Sequence, residues 1–197
     1  MAKLLENKHF FVKEQVRFLR LSNLYEVFDA NQKKIGEVRE KTSLVKKAVR
    51  IYRLDFYDID GNLLFSAKKP FAFIKQKFFL YDNNNQLIGN YYKKIIAVRP
   101  QFFIYDNQGQ EIGLLKGDFF AWNFQITGKN GVVAGYVNKI FSGALREFFT
   151  SADSYQIMIQ NDKTIDKRLL LAAPFVVDML MKEDQNKKGV RHFGGFK

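Results

Sequence analysis

A short pattern that recurs along the chain limits what the sequence can fold into. In most copies an aromatic-rich apolar run ends in Asp, a cluster of Asn, Gly, Gln or Lys follows, and a second apolar run begins. Asp and Asn favour tight turns because their short side chains bond nearby backbone, and Gly adopts positive φ without strain. The pattern therefore predicts β-hairpins. Copies occur at residues 25–36, 55–65, 79–89, 103–113, 124–135 and, more weakly, 155–165.

The spacing within and between copies is regular. Asp precedes Gly by seven residues in three copies, and the Asp residues of three consecutive copies lie 24 residues apart. Six hairpins predict about twelve strands, and closing them into a barrel would remove exposed sheet edges. A two-sheet sandwich is the alternative that short, regularly spaced strands also permit. The seven-residue pairs are Asp29 and Gly36, Asp82 and Gly89, and Asp106 and Gly113.

The C-terminal part of the chain breaks this pattern and predicts a helix over about residues 166–183. Its middle, residues 169–177, has no polar stripe, and a helix without a polar face is buried. Asp166 in the first turn and Lys182 in the last suit the helix dipole, whereas Pro174 should bend the helix. Such a helix is about 27 Å long, enough to fill a wide barrel. We therefore expect a mainly β fold, a closed antiparallel barrel that encloses a hydrophobic C-terminal helix.

Composition narrows the function classes. The chain of 197 residues contains no Cys and two His, which argues against disulfides, thiol nucleophiles and Cys-ligated or His-based metal sites. We expect a non-enzymatic protein without cofactor or metal.

Residues 1–183 should form one domain, with 184–197 a disordered basic tail. The N-terminus lacks a secretory signal, and the longest apolar segment, about 13 residues, is shorter than the roughly 20 of a transmembrane span. The expected location is cytoplasmic, either free or peripheral to a membrane.

Three stretches carry a resemblance to a known family. They are Phe73-Ile-Lys-Gln-Lys77, the run from Ser142 through Ala152-Asp153 to Ile157, and Leu169-Leu-Leu-Ala-Ala-Pro-Phe-Val-Val-Asp178. Together with the order of the hairpins, they resemble the phospholipid scramblase and LURP-one-related superfamily, whose fold is shared with the tubby C-terminal domain. The resemblance covers about residues 10–183 and implies a twelve-stranded barrel around a hydrophobic helix.

Two family features are missing from this chain. Scramblases carry a cysteine-rich palmitoylation segment, and this chain has no Cys. They also carry an acidic segment before the helix, where this chain offers only Asp162 and Asp166. Because calcium takes six to eight oxygen ligands, neither calcium binding nor lipid translocation is carried over.

Positive charge is concentrated in one part of the sequence. Residues 41–100 hold twelve Lys or Arg and four Asp, which gives +8 of the formal net +12. A basic strip edged by aromatic residues suits an anionic membrane surface or a phosphoinositide-like headgroup. Single-stranded nucleic acid is the less favoured partner, and a structural or protein-interaction barrel whose lysines serve only solubility is the remaining alternative. The predicted lipid or anion contacts are Lys68, Lys69, Lys75, Lys77, Lys93, Lys94 and Arg99.

The remaining candidate residues are three aspartates. Asp58 and Asp60 lie in a predicted hairpin, so we interpret them as turn residues rather than a catalytic pair. Asp178 lies in the predicted apolar helix, where it should pair near the barrel mouth or serve as a functional buried acid.

Overall fold

The computed structural model describes residues 3–15, 23–71, 77–94, 97–118, 123–140 and 154–179. Three helices and twelve strands lie in these ranges. The helices are α1 (Lys3–Glu6), α2 (Leu44–Ala48) and α3 (residues 167–179). The strands are β1 (His9–Gln15), β2 (Leu24–Phe28), β3 (Lys34–Glu40), β4 (Tyr52–Asp58), β5 (Leu63–Lys69), β6 (Lys77–Asp82), β7 (Leu87–Lys93), β8 (Gln101–Asp106), β9 (Glu111–Gly117), β10 (Asn123–Gly128), β11 (Val133–Lys139) and β12 (Ser154–Ile159).

The strands form a closed antiparallel barrel in which each strand pairs with its neighbours in sequence. The ring closes where β1 pairs with β12, with His9 opposite Met158. Closure gives each of the twelve described strands a hydrogen-bonded neighbour on both sides. The predicted twelve-stranded barrel is confirmed, and the two-sheet sandwich is excluded.

Five of the six predicted hairpins are present, between β2 and β3, β4 and β5, β6 and β7, β8 and β9, and β10 and β11. In the β8–β9 turn, Asp106 Oδ1 accepts the backbone N–H groups of Gln108 (2.9 Å) and Gln110 (2.8 Å). The Asp of three other turns binds the second and fourth following N–H groups in the same way, which explains why Asp occupies this position in four of the five hairpins. Those residues are Asp29, Asp58 and Asp82.

The sixth copy of the repeat does not form a hairpin. Its first run is β12, but the chain then passes through residues 160–166 into α3, because the residues after that point are apolar on every side and form a helix. The twelfth strand is instead β1, which lies outside the repeat. The strand count was right, but one of the six hairpins was wrong.

Each hairpin places one residue in the left-handed region, three positions after the Asp or its equivalent. Gly fills this position in three hairpins, whereas Gln32 and Asn85 fill it in the other two, each with φ of 62°. A residue with a Cβ is strained there by about 1–2 kcal/mol. The three glycines are Gly61, Gly109 and Gly131.

This difference gives a prediction for the β2–β3 turn. We expect Gln32→Gly to raise the free energy of unfolding by about 0.5–1 kcal/mol, because Gly removes the left-handed strain at some entropic cost. The reciprocal control, Gly61→Ala, should lower it by about 1 kcal/mol. Urea denaturation of both variants measures the two changes. A destabilised Gln32→Gly protein would contradict this explanation of the turn.

The glycine seven residues after the Asp faces the barrel interior, where the backbone of the neighbouring strand lies close to it. A Cβ on Gly36 would lie 2.5 Å from the Tyr57 carbonyl oxygen, and one on Gly113 would lie 2.7 Å from the Thr127 carbonyl oxygen. Both distances are shorter than a van der Waals contact, so the wall has no room for a side chain. The seven-residue spacing of the repeat therefore has two causes: the Asp forms the turn, and the Gly lies where the wall is tightly packed.

Helix α3 fills the barrel, as predicted. Every residue from 169 to 179 is buried. Tyr91, on the inner wall, donates from its hydroxyl to the Leu169 carbonyl oxygen at 2.7 Å and so fixes the start of the helix to β7. Asp166, just before the helix, accepts the backbone N–H of Arg168 and pairs with its guanidinium, which lowers the pKa of Asp166 despite burial. The predicted tail, residues 184–197, lies outside the described residues.

Candidate functional site

Strands β5 to β8 carry a row of aromatic and basic side chains on the outside of the barrel. Alternation along each strand sends Phe78, Leu80 and Tyr91 inward, where they are buried, and sends their neighbours outward. The strand register then aligns the outward residues in two rows. One row is Lys77, Tyr92 and Phe103; the other is Lys68, Phe79, Asn90 and Tyr105. These seven residues are called the aromatic face.

A cavity of about 290 Å³ opens on the aromatic face. The described residues around it are Lys77, Asn90, Tyr92, Tyr105 and Gly109. Among them they carry an ammonium, an amide and two phenols, and none of them carries a carboxylate. Burial, followed by the nearby Glu111 and Tyr92, raises the pKa of Tyr105, whose hydroxyl is already a donor at neutral pH at the ordinary pKa of a phenol. The cavity is therefore suited to a ligand that accepts hydrogen bonds.

Asn90 forms the floor of this cavity and has an unusual feature. Only 7% of the residue is exposed, yet its Nδ2 has no hydrogen-bond partner among the described residues. Leaving a buried polar group unpaired costs about 1–3 kcal/mol, and native proteins rarely do so without a functional reason. An acceptor oxygen in the cavity would satisfy this amide.

Three lysines lie against aromatic rings on or beside this face. Lys68 Nζ is 4.4 Å from the centre of the Tyr81 ring and donates to Asn85 Oδ1 at 2.7 Å. Lys77 and Lys94 each lie 5.9 Å from a ring centre, over Phe79 and Phe103 respectively. Within the described part of the chain, no carboxylate forms an ion pair with any of these three ammonium groups. Their charge is therefore available to an anion.

The structure divides the predicted anion contacts into separate groups. Lys68 and Lys77 belong to the aromatic face, and Lys94 lies exposed beside it, just after β7. Lys93 is half-buried at the end of β7, and Arg99 is exposed in the following connection. Lys75 lies outside the described residues.

Lys69 is a correction to the predicted surface. It has the same inward direction as Phe65 and Ala67, only 1% of it is exposed, and its Nζ donates to the Arg50 carbonyl oxygen at 2.9 Å. Strand alternation gives this result, because two adjacent lysines cannot both face solvent on a strand. Lys69 therefore holds a connection in place and does not contact a ligand at the surface.

The sequence reasoning missed the amide and the phenols of the cavity. The alternation that separated Lys77 from Phe78 also places Asn90, Tyr92 and Tyr105 outward on the next two strands. That signal was present once the hairpins were aligned. The burial of Asn90 could not be predicted in this way, because it depends on neighbours from two other strands.

The acids that the sequence singled out have structural partners. Asp58 accepts the backbone N–H groups of Asp60 and Asn62, which confirms a turn role. Asp178 is buried, and Tyr155 donates to its Oδ1 at 3.0 Å. In the described residues, no group of three or more His, Asp or Glu is placed to hold a metal ion.

A second cavity, of about 420 Å³, lies at the hairpin end of the barrel, next to the start of α3. Its carboxylates already hold the structure together. Asp82 and Asp106 Oδ1 atoms fix their own turns, and Asp166 pairs with Arg168. The aromatic face is therefore the better candidate site.

Comparison with known proteins places this fold in a family. The family model described as Scramblase matches residues 6–184. An X-ray structure of a protein from Arabidopsis thaliana has the same fold, with a TM-score of 0.54 and 9% sequence identity over 91% of this chain and 93% of the other. A search of curated proteins found no match. None of the described helices has the length and hydropathy to cross a membrane. The family match spans nearly the whole barrel, and the chain belongs to the Scramblase family.

Proposed function

We propose that this protein binds anionic phospholipid headgroups peripherally, through the aromatic face, without catalysis. The observation that carries the proposal is the cavity floored by the unpartnered Asn90 amide and edged by Lys77. A phosphate oxygen would accept from both groups, and a hydrogen bond with one charged partner is about twice as strong as a neutral one.

The size of the cavity supports a headgroup rather than a larger ligand. Drug-sized ligands occupy pockets of about 300–1,000 Å³, and this cavity is at the lower limit of that range. The three lysines over aromatic rings add attraction to anionic lipid of about 1 kcal/mol each. Membership of the Scramblase family is consistent with a lipid partner. The cytoplasmic leaflet, which holds anionic lipid, is the surface we propose.

Cosedimentation with vesicles tests this function. The wild-type chain should bind vesicles of phosphatidylcholine with phosphatidylserine, bind phosphatidylcholine alone weakly, and lose binding at high salt. The triple variant Lys68→Gln, Lys77→Gln, Lys94→Gln should bind the anionic vesicles roughly 100-fold more weakly, since each lysine contributes about 1 kcal/mol. Asn90→Leu should weaken binding about 10- to 100-fold at unchanged charge, since a lost charge-assisted hydrogen bond costs about 1.5–3 kcal/mol.

A matched control distinguishes binding at the aromatic face from attraction by the net charge of the protein. Lys33, Lys129 and Lys163 are exposed residues at the hairpin end, so changing all three to Gln removes the same charge elsewhere. If this control loses as much binding as the first triple variant, the aromatic face is not the site. Competition by inorganic phosphate in the same assay distinguishes a free anion from a lipid headgroup. Tighter binding to single-stranded DNA than to vesicles would support the nucleic-acid alternative instead.

A further inference from the structure

Three of the six connections opposite the hairpins form a continuous part of one end of the barrel. In an antiparallel ring with neighbouring strands joined in order, alternate connections lie at opposite ends. The links β3–β4, β5–β6 and β7–β8 are therefore together at the end away from the Asp turns. The described residues of these three links are 41–51, 70–71, 94 and 97–100. They are called the rim.

The rim exposes large apolar side chains. Val98 is 85% exposed, Val45 is 76% exposed and Phe71 is 51% exposed, and Leu44 and Val49 are also exposed. Single exposed apolar residues are ordinary on a protein surface. Here five of them lie on three neighbouring connections of the barrel. Exposure of such a cluster of apolar side chains to water is unfavourable, and clusters of this kind mark interaction surfaces.

Local hydrogen bonds hold the β3–β4 link in the conformation that exposes its apolar side chains. Ser43 Oγ accepts the backbone N–H of Lys46 and begins α2, and Thr42 Oγ1 accepts the backbone N–H of Arg53. Arg50 adopts φ of 60°, and the buried Lys69 ammonium holds its carbonyl oxygen. These contacts fix the link with Val45 directed to solvent.

The charges of the rim identify its partner. Its described residues include the cations Lys41, Lys46, Arg50, Lys94 and Arg99 and contain no Asp or Glu, whereas a sixth cation, Lys47, is paired with the buried Glu40 of β3. Apolar side chains alternate with cations over a few residues, for example Val98 with Arg99. An anionic bilayer interface receives both kinds, because apolar groups enter to about 5–10 Å while cations remain at the phosphates.

We propose that the barrel docks end-on, with the rim inserted into the interface of an anionic membrane. This inference rests on the proposed function and adds the orientation of the protein and the depth of its contact. Lys77 begins β6 and Tyr92 is one residue from the end of β7, so the aromatic face starts beside the rim. At about 3.3 Å per residue, Asn90 on the cavity floor lies roughly 10 Å from the rim end of β7, and the cavity extends from there towards Gly109 at the hairpin end. Insertion of Val98 and Val45 therefore brings the rim side of the cavity, with Lys77 and Tyr92, to the headgroups.

The absence of cysteine makes a direct test possible. Single cysteines replace Val98 or Phe71 on the rim and Ile59 at the hairpin end, where Ile59 is 48% exposed and so matches Phe71. Each carries an environment-sensitive fluorophore, mixed with phosphatidylserine-containing vesicles that include brominated lipid. The two rim probes should shift to shorter wavelength and be quenched, and the Ile59 probe should not change. Val98→Asp should also lower vesicle binding by about tenfold, the value of burying one aliphatic side chain.

The outcomes separate this inference from the proposed function. If the unlabelled protein fails to cosediment with anionic vesicles, the proposed function itself is wrong. If it cosediments but the rim probes do not respond, or the Ile59 probe responds equally, end-on docking is wrong. If the rim probes respond to protein concentration without vesicles and sedimentation shows a dimer, the rim binds a second copy, and the membrane proposal is overturned.

Discussion

Replacing Phe175 by Ala is expected to lower the free energy of unfolding by about 4 kcal/mol, the usual cost of removing a buried aromatic ring. The ring lies at the centre of the barrel, edge-on to Tyr25 at 5.0 Å and to Phe56 at 5.2 Å between ring centres. Both partners come from the wall, so this one side chain connects α3 to strands β2 and β4. Urea denaturation followed by circular dichroism measures the change.

Two further variants make this result interpretable. Phe175→Leu keeps most of the volume and should cost about 1–2 kcal/mol, so it reports on the site even if the Ala variant does not fold. Phe71→Ala removes the same ring from an exposed position and should change stability by less than about 0.5 kcal/mol. If Phe175→Ala and Phe71→Ala have equal effects, α3 does not form the core that its packing indicates.

The second large effect is expected at Gly113, where Val should cost about 3 kcal/mol or more. A Cβ there meets the Thr127 carbonyl oxygen and Ile165 Cδ1, each at 2.7 Å. The Ile165 side chain can move, but the carbonyl oxygen belongs to the neighbouring strand, so the wall itself must shift. Thermal and urea unfolding of the Gly113→Val protein measure the loss.

Gly109 is the control in the same hairpin. It has φ of 79°, and a Cβ added there would meet no atom within 4 Å, so Gly109→Ala should cost only the left-handed strain, about 1 kcal/mol. If the Gly109 substitution costs as much as the Gly113 substitution, backbone conformation rather than close packing explains the glycines of the repeat.

The hairpins could be predicted from sequence because their cause is local. The Asp side chain binds backbone groups two and four residues later, so five adjacent residues contain the whole interaction. The sixth copy has similar residues, but its outcome depends on the next segment of the chain, which is apolar and packs inside the wall. Ring closure between β1 and β12 is likewise set by a pairing of distant segments, which no local pattern records.

The candidate site was only partly predictable for a related reason. Period-two alternation places Lys69 on the same side as the apolar Phe65 and Ala67, but a lysine is so rarely fully buried that its charge predicts a surface position instead. The structure answers this through the register, which aligns Lys68 with Phe79 on the outside. Asn90 looks like any polar strand residue in the sequence. Its buried, unpartnered amide becomes visible only when three strands lie side by side.

The closed ring has a consequence for how the protein is made. The strands that complete it hold His9 and Met158, and the helix that fills it is synthesised after all twelve strands. Until then, inner side chains such as Phe65 and Phe102 contact only other wall residues and lack the helix that completes the core. Contacts between distant parts of a chain form slowly, so folding should wait for translation to deliver α3. A nascent chain cut before residue 167 should then remain protease-sensitive, although it contains every strand of the wall.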